Sequence, residues 1–305
     1  MLIIKDNFKT KLKYPTYIAL GSFDGLHLGH MYLINKTVEL SKENNAKSMI
    51  CTFKNHPLSV INQDISPKLI MDNDTKINLL EKTGIDIVNL VNFDKDFMKI
   101  TPEEFIENMV KFYNAKGIIV GFNYRYGYKN LGDIEMLQKY SRILGYKLYV
   151  CEAISINNEI VSSSKIRHLI DDGNITKANE LLGRPHTIIG EVIKGKQFGR
   201  TIGFPTINLN YNKKYILPKG GVYFTVVEYD NHFYKAITNI GYNPTVVGHK
   251  LSVETFILNF DKQIYGKVVK INFVNRIRDE VKFNTIDELK KQLLKDKEYA
   301  FEQKI

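Results

Sequence analysis

The chain has 305 residues, 44% hydrophobic and 25% charged, which is long enough for two domains of ordinary size and excludes a disordered chain. Lys and Arg outnumber Asp and Glu by 43 to 33, but they are scattered with no run longer than Lys-Lys, so the charge of +10 reads as compositional bias or a preference for anionic small substrates rather than a nucleic-acid surface. Apolar stretches such as 116–122 fall far short of the ~20 residues of a membrane span, and the charged opening residues 1–13 are unlike a signal peptide, so a cytoplasmic location with no membrane partner is expected.

From Thr16 to about Glu152, short β-forming runs at 17–21, 48–53, 86–91, 117–121 and 147–151 alternate with helical patterns at 30–42, 75–82, 102–113 and 133–144. That alternation predicts a doubly wound, Rossmann-like parallel sheet. Cys51 and Cys151 each fall inside a strand-like run and read as small core residues, giving neither a disulfide framework nor a metal spacing. Residues 162–182 read as two short helices separated by Asp172-Gly173 and closed by Gly183-Arg184-Pro185, which places a domain boundary between 183 and 184. Beyond Pro185 the period becomes two. Runs at 187–194, 221–228, 233–240, 252–260 and 267–274 predict a small antiparallel Greek-key-like barrel, closed by an amphipathic helix at 286–301 with Thr285 as N-cap and Glu288 three residues on.

The segment from Ala19 to His30 leaves the first strand, passes three glycines and enters the first helix. A helix N-terminus presents free N–H groups and a positive dipole end, which suit phosphate. His27 and His30 can both donate to a triphosphate there, and Gly29 between them leaves room for a close approach. The alternatives are a Gly-rich turn with incidental histidines and a zinc pair, for which Asp24 is the only third ligand at hand. Ser162, Ser163, Ser164 and Arg167 place hydroxyls and a guanidinium at a helix start, where ordinary capping is the plain reading. The Gly-bounded loop 121–133, with Asn123 and Arg125, follows a strand at its carboxyl end, where open α/β sheets bind ligands.

In the second half, residues 190–209 carry several glycines, a basic pair and then Pro205-Thr206-Ile207-Asn208, with no Walker phosphate loop anywhere. Thr206 and Asn208 are two apart on one expected strand, so their oxygens face one side and suit a Mg²⁺ carried by ATP. Glu254 stands in an apolar, β-forming run, where a carboxylate is costly unless it has a task; the plain alternative is a solvent-facing strand position.

Taken in order, the His27-Leu28-Gly29-His30 element, Thr52–Pro57, the 121–133 loop and Ser162–Arg167 resemble the adenylyltransferase half of bacterial bifunctional riboflavin kinases/FAD synthetases. Segments 190–209, 218–223, 238–245, 252–257, 265–266 and 276–283 resemble the riboflavin kinase half. The resemblance implies a first domain, 1–183, that adenylylates FMN to FAD, with His27 and His30 acting on ATP and Gly21, Phe23, Asp24, Gly29, Asn123, Arg125, Ser163, Ser164 and Arg167 binding ATP or FMN. It implies a second domain, 184–305, that phosphorylates riboflavin, with Glu254 as general base. There Gly195, Gly199, Arg200, Gly203, Pro205, Thr206, Asn208, Asn239 and Arg278 bind ATP or riboflavin, and Thr206 and Asn208 meet Mg²⁺. Riboflavin, FMN and FAD are then substrates and products.

The chain departs from the family pattern at Ile207 (usually Ala), Phe256 (usually His), Asn259 (often Asp) and Asn123 (often Asp). Ile207 and Phe256 are the departures expected to alter affinity. Rival readings are an enzyme that retains one activity, distinguished by assaying each reaction separately, and a flavin-sensing RNA-binding regulator, marked by a salt-dependent RNA shift without turnover.

Overall fold

The computed structural model describes residues 1–195, 197–242 and 251–304. They form two compact units, Met1–Ser162 and Ser163–Ile305. The first is built on a six-stranded sheet in the order β1 (Leu2–Ile4), β4 (Ile87–Val91), β3 (Lys47–Phe53), β2 (Thr16–Leu20), β5 (Ala115–Gly121), β6 (Lys147–Cys151). Every neighbouring pair is parallel. Because helices cover both faces, β2 and β4 are buried along their whole length. Ile18 and Leu20 pack on one face with Met49, Ile118 and Val120, while Tyr17 and Ala19 pack on the other with Ile50, Val88 and Ile119. Cys51 and Cys151 are buried and unbridged.

The covering helices are α1 (Leu28–Glu43), the short α2 (Leu58–Ile61), α3 (Asn73–Glu81), α4 (Pro102–Tyr113) and α5 (Ile134–Leu144). Side chains at the caps define where three of them start: Asp72 accepts from the Thr75 N–H, Thr101 from Glu104 with Pro102 in the first turn, and Asp133 from Met136. Each such cap contributes about 0.5–2 kcal/mol. The edge strand β1, which the sequence pattern did not reveal, is anchored by a buried polar knot. Asp6 donates its N–H to Asn89 Oδ1 at 3.0 Å, and the Tyr113 hydroxyl donates to the Asp6 carboxylate at 2.9 Å while accepting from Asn89 Nδ2 at 2.9 Å. A two-stranded hairpin of β7 (Ser155–Ile156) and β8 (Glu159–Ile160) follows the sheet.

The second unit opens with α6 (Ser163–Asp171) and α7 (Ile175–Leu182), then closes an antiparallel barrel in the order β10 (Thr206–Tyr211), β13 (Leu251–Ile257), β12 (His232–Tyr242), β11 (Gly221–Tyr229), β14 (Val268–Arg278), β9 (His186–Ile193), with the short α8 (Phe198–Thr201) between β9 and β10. The division falls at Ser162, ahead of the junction expected at Gly183, because α7 is bonded to the barrel. Asn179 donates its amide to the Phe273 carbonyl at 2.8 Å and accepts from the His186 N–H at 2.7 Å. Burial strips His186 of water and pulls its imidazole down to about 4, so it is a neutral core group at the Ile216 carbonyl.

Inside the barrel the hydroxyls of Thr225, Thr238 and Thr255 form a chain with links of 2.8 and 2.9 Å. The opposite faces of β11 and β12 contribute Val222, Phe224, Val226 and Ile237 to an apolar cluster that Ala300 of α9 (Ile286–Glu302) joins. Arg278 clamps the buried Asp296 of the same helix in a two-pronged ion pair, 2.7 Å at the closest. Removing one partner of such a buried pair typically costs roughly 3–5 kcal/mol.

Candidate active sites

Three neighbouring parallel strands, β3, β2 and β5, release their chains at one edge of the first sheet. The turn after β2 is held in an unusual shape, with Phe23 at φ 48°, Gly25 at 83° and Leu26 at 40°. For side chains other than glycine such left-handed conformations cost on the order of 1–3 kcal/mol, so the surroundings must hold them. Phe23 and Leu26 are accordingly buried; the Asp24 carboxylate accepts the Ile70 N–H at 3.1 Å, and the Ser22 carbonyl accepts from Thr52 at 2.8 Å and from the Lys76 ammonium at 3.2 Å.

The turn delivers His27 as the cap of α1, its Nδ1 accepting from the His30 N–H at 3.3 Å. The two imidazoles stack 3.5 Å apart, and Phe23 meets His30 edge-on at 5.2 Å. A Cβ at Gly29 would lie 3.3 Å from the His27 ring and one at Gly21 3.1 Å from the Phe23 ring, so both glycines keep ring positions open. The paired rings thus sit at a helix N-terminus, the arrangement that receives phosphate.

Asn123 and Arg125 follow β5 at the same sheet edge, with Arg125 paired to Asp133 at 3.2 Å. Ser163, Ser164 and Arg167 lie on α6, in the second unit. Among the described residues no group of three or more His, Cys, Asp or Glu that could hold a metal is assembled. Beside the turn a small cavity is lined by Ser22, Asp24, Lys54, Asn55, His56 and Lys76. Lys76 was not anticipated, although a signal existed: it stands four residues before Leu80 on the buried stripe of α3, a position at which an apolar residue is expected.

In the barrel, register assembles the site. Asn208 on β10 is paired directly with Glu254 on β13, and Glu254 in turn with Asn239 on β12, so the three side chains project from one face in a row. Thr206 lies opposite Phe256 two residues along the same face. Residues 253, 255 and 257 alternate with Glu254 and are buried in the barrel, whereas Glu254 is half-exposed. The glycine-rich segment lies against this row. A Cβ at Gly195 would come within 2.1 Å of the Asn208 amide and one at Gly199 within 2.2 Å of the Phe204 carbonyl, while Gly203 adopts φ 87°. Lys196 and residues 243–245 of the expected signature lie outside the described residues.

A cleft of about 400 Å³ is lined among others by Arg200, Pro205, Thr206, Ile207, Lys262 and Tyr265; Asn208, Glu254 and Asn239 are not among its lining residues. Of the departures, Ile207 lines this cleft, Phe256 packs edge-on against Phe204 at 5.2 Å, and Asn259 occupies a left-handed turn at φ 54° that Asn and Asp both tolerate. Arg278, expected at the ligand, has its guanidinium engaged by Asp296.

A parallel-sheet unit with a phosphate-receiving helix start and a barrel unit with a carboxylate between two amides define a two-site transferase. A family model described as FAD synthetase matches residues 9–165, and one described as riboflavin kinase matches residues 182–303. The chain is 36% identical to a bifunctional riboflavin kinase/FMN adenylyltransferase of Bacillus subtilis (strain 168), covering 93% of this chain and 90% of the relative. It is 34% identical to the protein of that name from Listeria monocytogenes, covering 92% and 90%. A crystal structure described as a macrolide-efflux protein from Streptococcus pneumoniae superimposes with a TM-score of 0.90 at 30% identity over 99% of both chains. Among the described residues of this chain, no helix is long and apolar enough to cross a membrane. The chain belongs to the bifunctional riboflavin kinase/FMN adenylyltransferase family.

Proposed function

We propose that the barrel unit converts riboflavin and ATP to FMN and ADP, and that the sheet unit converts FMN and ATP to FAD and pyrophosphate. The observation that carries the reading is the row Asn208, Glu254, Asn239, formed by three separate strands, together with the paired imidazoles at the start of α1.

In the kinase step Glu254 accepts the proton of the ribityl 5′-hydroxyl as its oxygen attacks the γ-phosphorus and ADP leaves; Asn208 and Asn239 stand at the paired positions on either side of it. The 190–209 segment brings Gly195, Gly199, Arg200, Gly203 and Pro205 to the nucleotide, and backbone N–H groups freed by glycine suit its phosphates. Thr206 and Asn208 would hold Mg²⁺, since neutral oxygens on one face of a strand fit an ion that phosphates and water also ligate. That ion would offset charge on the transferring phosphates. Arg278 serves the site by fixing α9 against the barrel.

In the adenylyl step an FMN phosphate oxygen attacks the α-phosphorus of ATP and pyrophosphate leaves. His27 and His30 donate to the phosphates as charge develops, with the N–H groups of α1 behind them. Gly21, Phe23, Asp24 and Gly29 shape the turn, and Asn123 and Arg125 at the end of β5 are further donors suited to phosphate. The partners are small molecules, and a cytoplasmic location fits cofactor synthesis.

A time course of the purified chain with riboflavin, ATP and Mg²⁺, resolved by chromatography, is expected to show FMN first and FAD later. Neither should form when ATP or the divalent ion is withheld. Absence of FMN under both oxidising and reducing conditions would contradict the kinase assignment.

A further inference from the structure

Lys76 is the only buried lysine among the described residues. It occupies a position on α3 where Leu or Met would pack without desolvating a charge, yet its ammonium reaches the Ser22 carbonyl at 3.2 Å, beside the buried Asp24. Desolvation pulls the amine down to about 8, against the opposing pull of the Asp24 carboxylate. Because the unfolded chain then binds that proton more tightly than the folded one, protonation costs stability, a cost that builds as pH falls from about 10.5 and is fully present below about 8. A group kept at such a cost beside a strained turn points to a task other than holding the fold.

We propose that Lys76 is a positioning residue for adenylylation: from α3 it grips the turn between β2 and α1 that sets His27 and His30, and it offsets the Asp24 charge next to the helix start that phosphates approach. The Ser22 carbonyl keeps Thr52 as a second donor, so the grip is not needed to satisfy the backbone. The charged or titratable groups facing Lys76 around the cavity are Asp24 from the turn and Lys54 and His56 from the segment after β3. The inference rests on the reading of the first unit as an FMN adenylyltransferase.

The test uses the full chain as parent, Lys76→Met and Lys76→Arg, with FAD formation from FMN, FMN formation from riboflavin and thermal unfolding measured on the same preparations. Lys76→Met is expected to lose about 10²-fold in kcat for adenylylation with a much smaller change in KM for ATP, because misplaced donors act in the transition state. Its kinase rate should stay near that of the parent and its unfolding temperature should not fall. Parent adenylylation should decline as pH rises through about 8, where the amine releases its proton. Lys76→Arg, charged throughout that range, should recover activity and move the decline to higher pH. Adenylylation by Lys76→Met within about threefold of the parent, a loss matched by a lower unfolding temperature, or an unmoved alkaline decline in Lys76→Arg would each overturn the inference while leaving the adenylyltransferase reading intact. A parent that phosphorylates riboflavin but makes no FAD from FMN would sink both.

Discussion

The two units solve the same problem, holding phosphates beside a reacting group, by different means. In the sheet unit the residues proposed for adenylylation start from one short turn, whose backbone shape places His27 and His30 at the start of α1 beside neighbouring strand ends. In the barrel unit the proposed base belongs to no single loop. Glu254 acquires its neighbours through the pairing of β10, β13 and β12, so register does the placing. The contrast teaches that a turn-built site is set by backbone shape over a few contiguous residues, whereas a register-built site depends on every strand that contributes to it.

The largest effect should come from breaking each site in turn and reading both reactions. Glu254→Gln keeps size and hydrogen-bonding reach but cannot accept the hydroxyl proton, so phosphorylation should fall by roughly 10²–10⁴ while riboflavin still binds and added FMN is still adenylylated. A kinase rate within about tenfold of the parent would make Glu254 a positioning group only, an outcome that the loose transition state of phosphoryl transfer allows. Reciprocally, His27→Ala or His30→Ala should lower adenylylation by ~10²–10³ with phosphorylation near normal. Equal damage to both reactions by a histidine variant would indicate misfolding.

A smaller effect sharpens where the units part. Residues 184–305 hold the whole kinase signature, so the fragment is expected to phosphorylate riboflavin, but it lacks α7 and the Asn179 bonds to Phe273 and His186. A fragment of 163–305 should therefore be the more stable by about 1–3 kcal/mol in denaturant titration, the scale of leaving buried groups unsatisfied. Equal stability of the two fragments would place the working boundary at Gly183.

Much of this architecture was legible beforehand because it is local. The alternation of runs and helical patterns named the parallel sheet, and the His27-to-His30 turn is contiguous, as are the Gly173 and Gly183 breaks that bound α7. What escaped depends on distant partners. The strand β1 has three residues, too few for a period, and is secured by Asp6 and Asn89, 83 positions apart. Lys76 stands out in the sequence only by its place on the buried stripe of α3, and its partner Ser22 lies 54 positions away, while the Asp296 that pairs with Arg278 lies on the helix that follows the barrel. Even the Glu254 row required the fold, since spacing alone could not show that Asn208 and Asn239 flank it.

Independence of a turn-built and a register-built site is the central claim, and mixing the two damaged proteins tests it most directly. With riboflavin, ATP and Mg²⁺, Glu254→Gln alone should stall for want of FMN, and His30→Ala alone should accumulate FMN. Combined in equal amounts, His30→Ala supplies FMN to the intact sheet unit of Glu254→Gln, and FAD should form at a rate approaching that of the parent. If the mixture makes FAD no faster than the sum of the two separate proteins, the sites do not work independently and the account is contradicted.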